Sequence, residues 1–130
     1  MIKRTFTGLV TILIAGISFA QATNYNLLDS IVIKPIIYDA RVNNKDRYPG
    51  YIEIGHMPTP KAEIYIYSLE GGLLRTLSKK EGEHRMLWFL RTDKNELIET
   101  GVYLILVKVD GVGETILKFY YKGKDEWDPF

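Results

Sequence analysis

From Ala62 to Tyr67 apolar and polar side chains alternate with a period of two. Ala62, Ile64 and Ile66 fall on one side, and Glu63, Tyr65 and Tyr67 on the other. Successive side chains of an extended chain point to opposite faces, so this segment is predicted to be a strand with one face on a core. Glu70-Gly71-Gly72 supplies turn chemistry and Leu73 to Leu77 returns, which reads as a hairpin. Arg85 to Arg91 sets Met86, Trp88 and Leu90 on one side, as a further strand would. Val102 to Val109 is apolar on both faces except at Lys108, which predicts a central strand covered on both sides. Thr115 to Tyr121 follows the turn that starts at Asp110-Gly111.

Upstream, Ile31 to Tyr38 and Tyr51 to His56 complete the strand-like runs. Pro35 cannot donate to a ladder, so it predicts an edge or a break in the first run. The first strand and the last, Thr115 to Tyr121, are the predicted edges. Asp39 to Pro49 is the longest unpatterned segment and the one predicted to be most mobile. No 3.6-residue pattern with capping signals occurs after residue 22, so no helix is predicted there. The expectation is an all-β, seven-stranded antiparallel sandwich over 31–121, with a lead-in at 23–30 and a charged tail at 122–130.

The first 22 residues follow a different rule. Lys3 and Arg4 precede an uncharged apolar run from Gly8 to Phe19, and Ala20-Gln21-Ala22 closes it with small residues. Basic start, short apolar middle and small-residue site are the layout of a secretory signal peptide, with cleavage expected after Ala22 and Ala20 as the alternative. The protein is therefore expected to be exported, to the periplasm, the outer-membrane surface or beyond. No run after this leader is long enough to span a bilayer. The whole chain carries a formal net charge of +1 and the mature part is near neutral, which gives no electrostatic footprint for nucleic acid. It contains no cysteine, so disulfides, thiol catalysis and thiolate metal sites are excluded.

Catalytic chemistry finds little support. His56 and His84 are the two histidines and show no metal-ligand spacing. Carboxylates are scattered, the Asn43 to Asp46 run is a poor calcium loop, and no serine has a nucleophile-elbow context. Gly71-Gly72 and Gly111-Val112-Gly113 do not precede a helix and read as turns, not phosphate cradles. The reading is a non-enzyme without metal or cofactor. Trp88 is expected as a core anchor between the sheets. The candidate binding surface is Glu63, Tyr65 and Tyr67 on the outer side of their strand, with Trp127 and Phe130 in the tail.

Three segments carry a family resemblance. They are Ile64 to Leu77 with its serine/glycine turn, Trp88-Phe89-Leu90-Arg91-Thr92-Asp93-Lys94-Asn95, and Thr100-Gly101-Val102-Tyr103. In order and spacing they resemble the C-terminal immunoglobulin-like domains of bacterial surface and secreted proteins, of the flagellar hook-cap and type IX secretion sorting-domain types. Phe89 stands where that family usually places aspartate. The resemblance implies an immunoglobulin-like sandwich serving as an attachment, assembly or secretion-recognition module. Its expected partner is a protein of the cell envelope or the secretion machinery. Two alternatives are a type IX sorting domain separated from its cargo, and a small carbohydrate-binding module using the tyrosine face.

Overall fold

A computed structural model describes residues 27–45 and 50–124. Among these residues eight strands form two sheets: β1 (Val32–Lys34), β2 (Ile37–Asp39), β3 (Ile52–Gly55), β4 (Ala62–Ser68), β5 (Leu73–Lys79), β6 (Met86–Trp88), β7 (Gly101–Val109) and β8 (Gly113–Lys122). β1, β3 and β6 make a three-stranded sheet in the order β1-β3-β6. The other five form a sheet in the order β2-β8-β7-β4-β5.

The extra strand comes from Pro35. The run expected as one strand is divided there, and its halves join opposite sheets: β1 pairs antiparallel with β3, and β2 pairs parallel with β8. A ring without an N–H interrupts one ladder and frees the chain to enter the other. The sandwich is therefore not wholly antiparallel. A short helix, α1 (Ala40–Asn43), follows directly and corrects the expectation of none. The Asp39 side chain accepts from the Arg41 N–H at 3.0 Å, an N-cap of the ordinary kind. The loop from Asp39 to Pro49 thus begins as a helix, while residues 46–49 lie outside the described residues, as do the leader, Trp127 and Phe130.

The core sits between the sheets. Ile64, Ile66, Tyr103 and Ile105 from the large sheet and Trp88 from the small one are all buried, as the alternation requires. Trp88 meets Tyr103 and Phe119 edge-on, with ring centroids 6.5 and 6.0 Å away, and its indole N–H donates to the Arg91 carbonyl at 2.9 Å. Its polar tip is thereby satisfied while the ring bridges the layers. The Tyr103 hydroxyl donates to the Glu99 carbonyl, four residues back, forming a tyrosine corner at the entry to β7. Leu28, ahead of the expected first strand, also belongs to the core.

Lys79 is an unexpected core member, 1% exposed at the end of β5. Its ammonium donates to the carbonyls of Glu83 at 2.6 Å, Lys80 at 2.9 Å and Thr59 at 3.4 Å. Three donors meet three acceptors, so the cation ties the loop before β4 to the loop before β6.

β8 is an edge from Gly113 to Phe119, as expected, but not at its C-terminal end. β2 lies beside it across Tyr120 to Lys122, and β7 pairs with it along the other side. The remaining edges are β1 and β6 in the small sheet and β2 and β5 in the large one.

Candidate functional site

The family-like segments turn out to build the scaffold. Ser68 N–H donates to the Gly72 carbonyl at 2.9 Å and the Gly72 N–H donates to Ser68 Oγ at 3.2 Å, closing the β4–β5 hairpin. Gly71 has φ +100°, where a side chain would be strained. Thr92 Oγ1 accepts from the N–H groups of Lys94 and Glu96, and Asp93 accepts from Arg75 and the Thr76 N–H. These residues hold β6 and its following turn against β5. Phe89 packs on Tyr51, ring centroids 5.6 Å apart, on the surface.

Among the described residues no group of three or more His, Asp or Glu could hold a metal ion. His56 and His84, distant in sequence, line one apolar hollow of about 400 Å³ together with Met57. The Nδ1 of His84 lies 2.9 Å from the Met57 carbonyl, so one face of the pair is already engaged. Their meeting was invisible in the sequence because it depends on the loops before β4 and β6 lying side by side.

What the fold does assemble is an outer sheet face. Glu63, Tyr65 and Tyr67 of β4 point away from the core, as expected from the alternation. Registers place Glu63 beside Lys108, Tyr65 beside Leu106 and Tyr67 beside Leu104. β8 continues the rows, with Glu114 beside Lys108, Ile116 beside Leu106 and Lys118 beside Leu104. β5 adds Ser78 beside Glu63 and Thr76 beside Tyr65. The face therefore has one charged row at the Lys108 end and aromatic and aliphatic side chains across its middle, with Lys118 at the β8 side of the Leu104 row.

This corrects the reading of β7. The strand is central, but only its Tyr103, Ile105, Val107 and Val109 side meets the other sheet. Val102, Leu104 and Leu106 are half-buried by their neighbours within the sheet, and no described element packs over them. Ile116 is 64% exposed and Leu73 51%. Contiguous apolar surface of this kind marks an interaction site more often than solvent-facing surface does. Sequence periodicity cannot separate a strand covered twice from a strand covered once and left apolar.

At the charged end the Lys108 ammonium lies 6.0 Å from the centre of the Tyr65 ring. Glu63 accepts from the Ser78 hydroxyl at 2.9 Å. A concavity of about 490 Å³ opens beside them, lined by Tyr65, Glu63, Lys108, Asp110 and Glu114 among others. An aromatic wall flanked by carboxylates and a cation can meet polar ligands as well as protein.

The fold and this face define an all-β, two-sheet sandwich with one open, largely apolar sheet surface. No protein-family model matches the chain, and no curated protein does. Among solved structures the chain is similar to PorZ, described as an essential bacterial surface component of the type IX secretion system of human oral-microbiomic Porphyromonas gingivalis. The TM-score is 0.61 at 17% sequence identity, over 77% of this chain and 12% of PorZ. The likeness is one of fold, and the chain spans a small part of that protein's length.

Proposed function

We propose that this chain is an exported, non-catalytic immunoglobulin-like module. It works by presenting the outer face of its five-stranded sheet to a protein at the cell envelope, in a system related to type IX secretion. The observation that carries the reading is β7. A strand at the centre of its sheet places Val102, Leu104 and Leu106 on a side that no described element covers. The immunoglobulin-like assignment is supported by the chain's passage between sheets at Pro35, the tyrosine corner at Tyr103 and the Trp88 anchor. The envelope assignment is supported by the leader-like first 22 residues and by the fold it shares with part of a bacterial surface component. A sorting-domain role is the narrower form of the same reading, supported by the three family-like segments.

Photo-crosslinking in cells tests it. A crosslinker at Leu106 is expected to give adducts to a protein, and one at Leu87 on the small sheet to give few. Equal yields, or none from Leu106, would refute the open face as the binding surface. The concavity beside Tyr65 favours a second reading, glycan binding. In that case Tyr65→Ala and Tyr67→Ala should leave folding intact and abolish retention on glycan columns, whereas a wild type that is not retained discards it.

A further inference from the structure

We propose that the partner of the open face is a second copy of the same chain. Two copies would pack face to face about a two-fold axis that runs parallel to the strands between β4 and β7. The inference rests on the reading of that face as the binding surface and names its occupant.

The registers supply the argument. An axis in that position brings β4 of one copy over β7 of the other. Each residue then faces, across the interface, the residue that stands beside it within its own sheet. Tyr65 meets Leu106 of the second copy, Tyr67 meets Leu104, and Glu63 meets Lys108, every pair occurring twice. Aromatic rings thus cover aliphatic side chains, and each acid opposes a base. Further out the same operation sets Thr76 over Ile116 and Ser78 over Glu114, again without like charges in opposition. A two-fold axis across the strands at the Tyr65 row would instead turn one sheet end for end, laying Glu63 on Tyr67 and Lys108 on Leu104. Self-complementarity is what an isologous interface demands, and the axis between β4 and β7 meets it across four strands.

Size is consistent with this. Four strands spaced by ~4.8 Å and seven residues rising ~3.3 Å each make a face of roughly 19 by 23 Å, which with side-chain relief falls at the small end of protein–protein interface sizes. The half-buried centre at Leu104 and Leu106 and the charged row at one end also match the anatomy of an apolar core with a polar rim.

Sedimentation velocity on the full chain, purified from the cell fraction where it accumulates, tests the proposal. The wild type should form a concentration-dependent dimer. Leu106→Lys should sediment as a monomer with unchanged circular dichroism. Glu63→Lys and Lys108→Glu should each be monomeric alone, because each sets like charges in opposition. Mixed in equal amounts they should form a heterodimer, since an acid then faces each base. That rescue in trans cannot arise from changes inside one sheet, and both positions are exposed, so the pair remains informative if Leu106→Lys unfolds. A monomeric wild type at every concentration, a dimer indifferent to Leu106→Lys, or a mixture that stays monomeric would each overturn the proposal. If the wild type is monomeric but Leu106 still crosslinks to another envelope protein in cells, self-association fails while the binding-face reading stands. If neither occurs, both fail.

Discussion

Tyr103 sits where the chain enters β7, its ring against Trp88 and Phe119 and its hydroxyl on the Glu99 carbonyl. Burial pushes its pKa above the ordinary 10.0, and burial does the same to Tyr121. A phenol whose folded pKa is raised holds its proton more tightly when folded. Its stabilising contribution is complete below pH 10 and is lost as pH rises through the folded value. Lys79 works in the opposite sense. Desolvation lowers its pKa from 10.5, against the pull of Glu83 and Glu81, so stability is gained as pH rises through that lowered value. Tyr103→Phe separates the two. At neutral pH it should cost ~1–2 kcal/mol, because the Glu99 carbonyl loses its donor. Above pH 10 the wild type should lose stability more steeply than the variant, as measured by urea melts from pH 8 to 11. Parallel pH profiles would show that the phenol does not titrate in the folded state as argued. The residues on which the sandwich reading leaned were legible because alternation marks them: Ile64, Ile66, Trp88 and Ile105 are at most 2% exposed. Lys79 was not, since a lysine in a charged stretch reads as solvated until its three carbonyl partners are brought together by distant loops.

At the level of elements, the hairpin β4–β5 and the strand β7 follow from local pattern and turn chemistry. What pattern could not show is the division at Pro35, because a break and a change of sheet look alike in one dimension. The parallel pairing of β2 with β8 is likewise a tertiary outcome. It brings Tyr38 beside Tyr121, ring centroids 5.8 Å apart, and carries the chain into α1. The Tyr38 hydroxyl then donates to Asn44 Oδ1, and Gly50 lies over both: an added Cβ would stand 2.7 Å from that Asn44 oxygen. Tyr38 is fully buried and cannot swing aside. Gly50→Ala is therefore expected to destabilise the protein by ~1–3 kcal/mol, the range for overpacking a filled site. Thermal or urea unfolding reads this directly. A variant as stable as wild type would mean that the segment before β3 gives way without cost, and that Gly50 is not required for the approach of α1 to the small sheet. The candidate site divides in the same way. Glu63, Tyr65 and Tyr67 were placed on the outer face by alternation, whereas Leu104, Leu106 and Ile116 joined them through registers that local sequence does not encode.

Across the whole molecule the two sheets are unequal. Besides the three-residue β2, the large sheet holds strands of seven, seven, nine and ten residues, while every strand of the small one has three or four. Cooperative stability should follow that division, since opening the small sheet breaks few ladder bonds and opening the large one breaks many. There is no cysteine to cross-link the layers, so the small sheet is held through side-chain burial, chiefly Trp88, Ile52 and Ile54 against the large one. Hydrogen exchange followed by mass spectrometry should therefore find two classes of amide. Those of β4, β7 and the part of β8 paired with β7 should exchange only on global unfolding, and those of β1 and β6 through smaller openings. Uniform protection would show instead that the layers unfold as one unit and that the core couples them more tightly than their ladders imply. The distinction matters for function. A binding face carried by the most protected sheet is presented as a rigid surface, so its partner would be met with little ordering cost on this side. Slow exchange in β7 together with fast exchange in β1 is the pattern that a preorganised outer face requires.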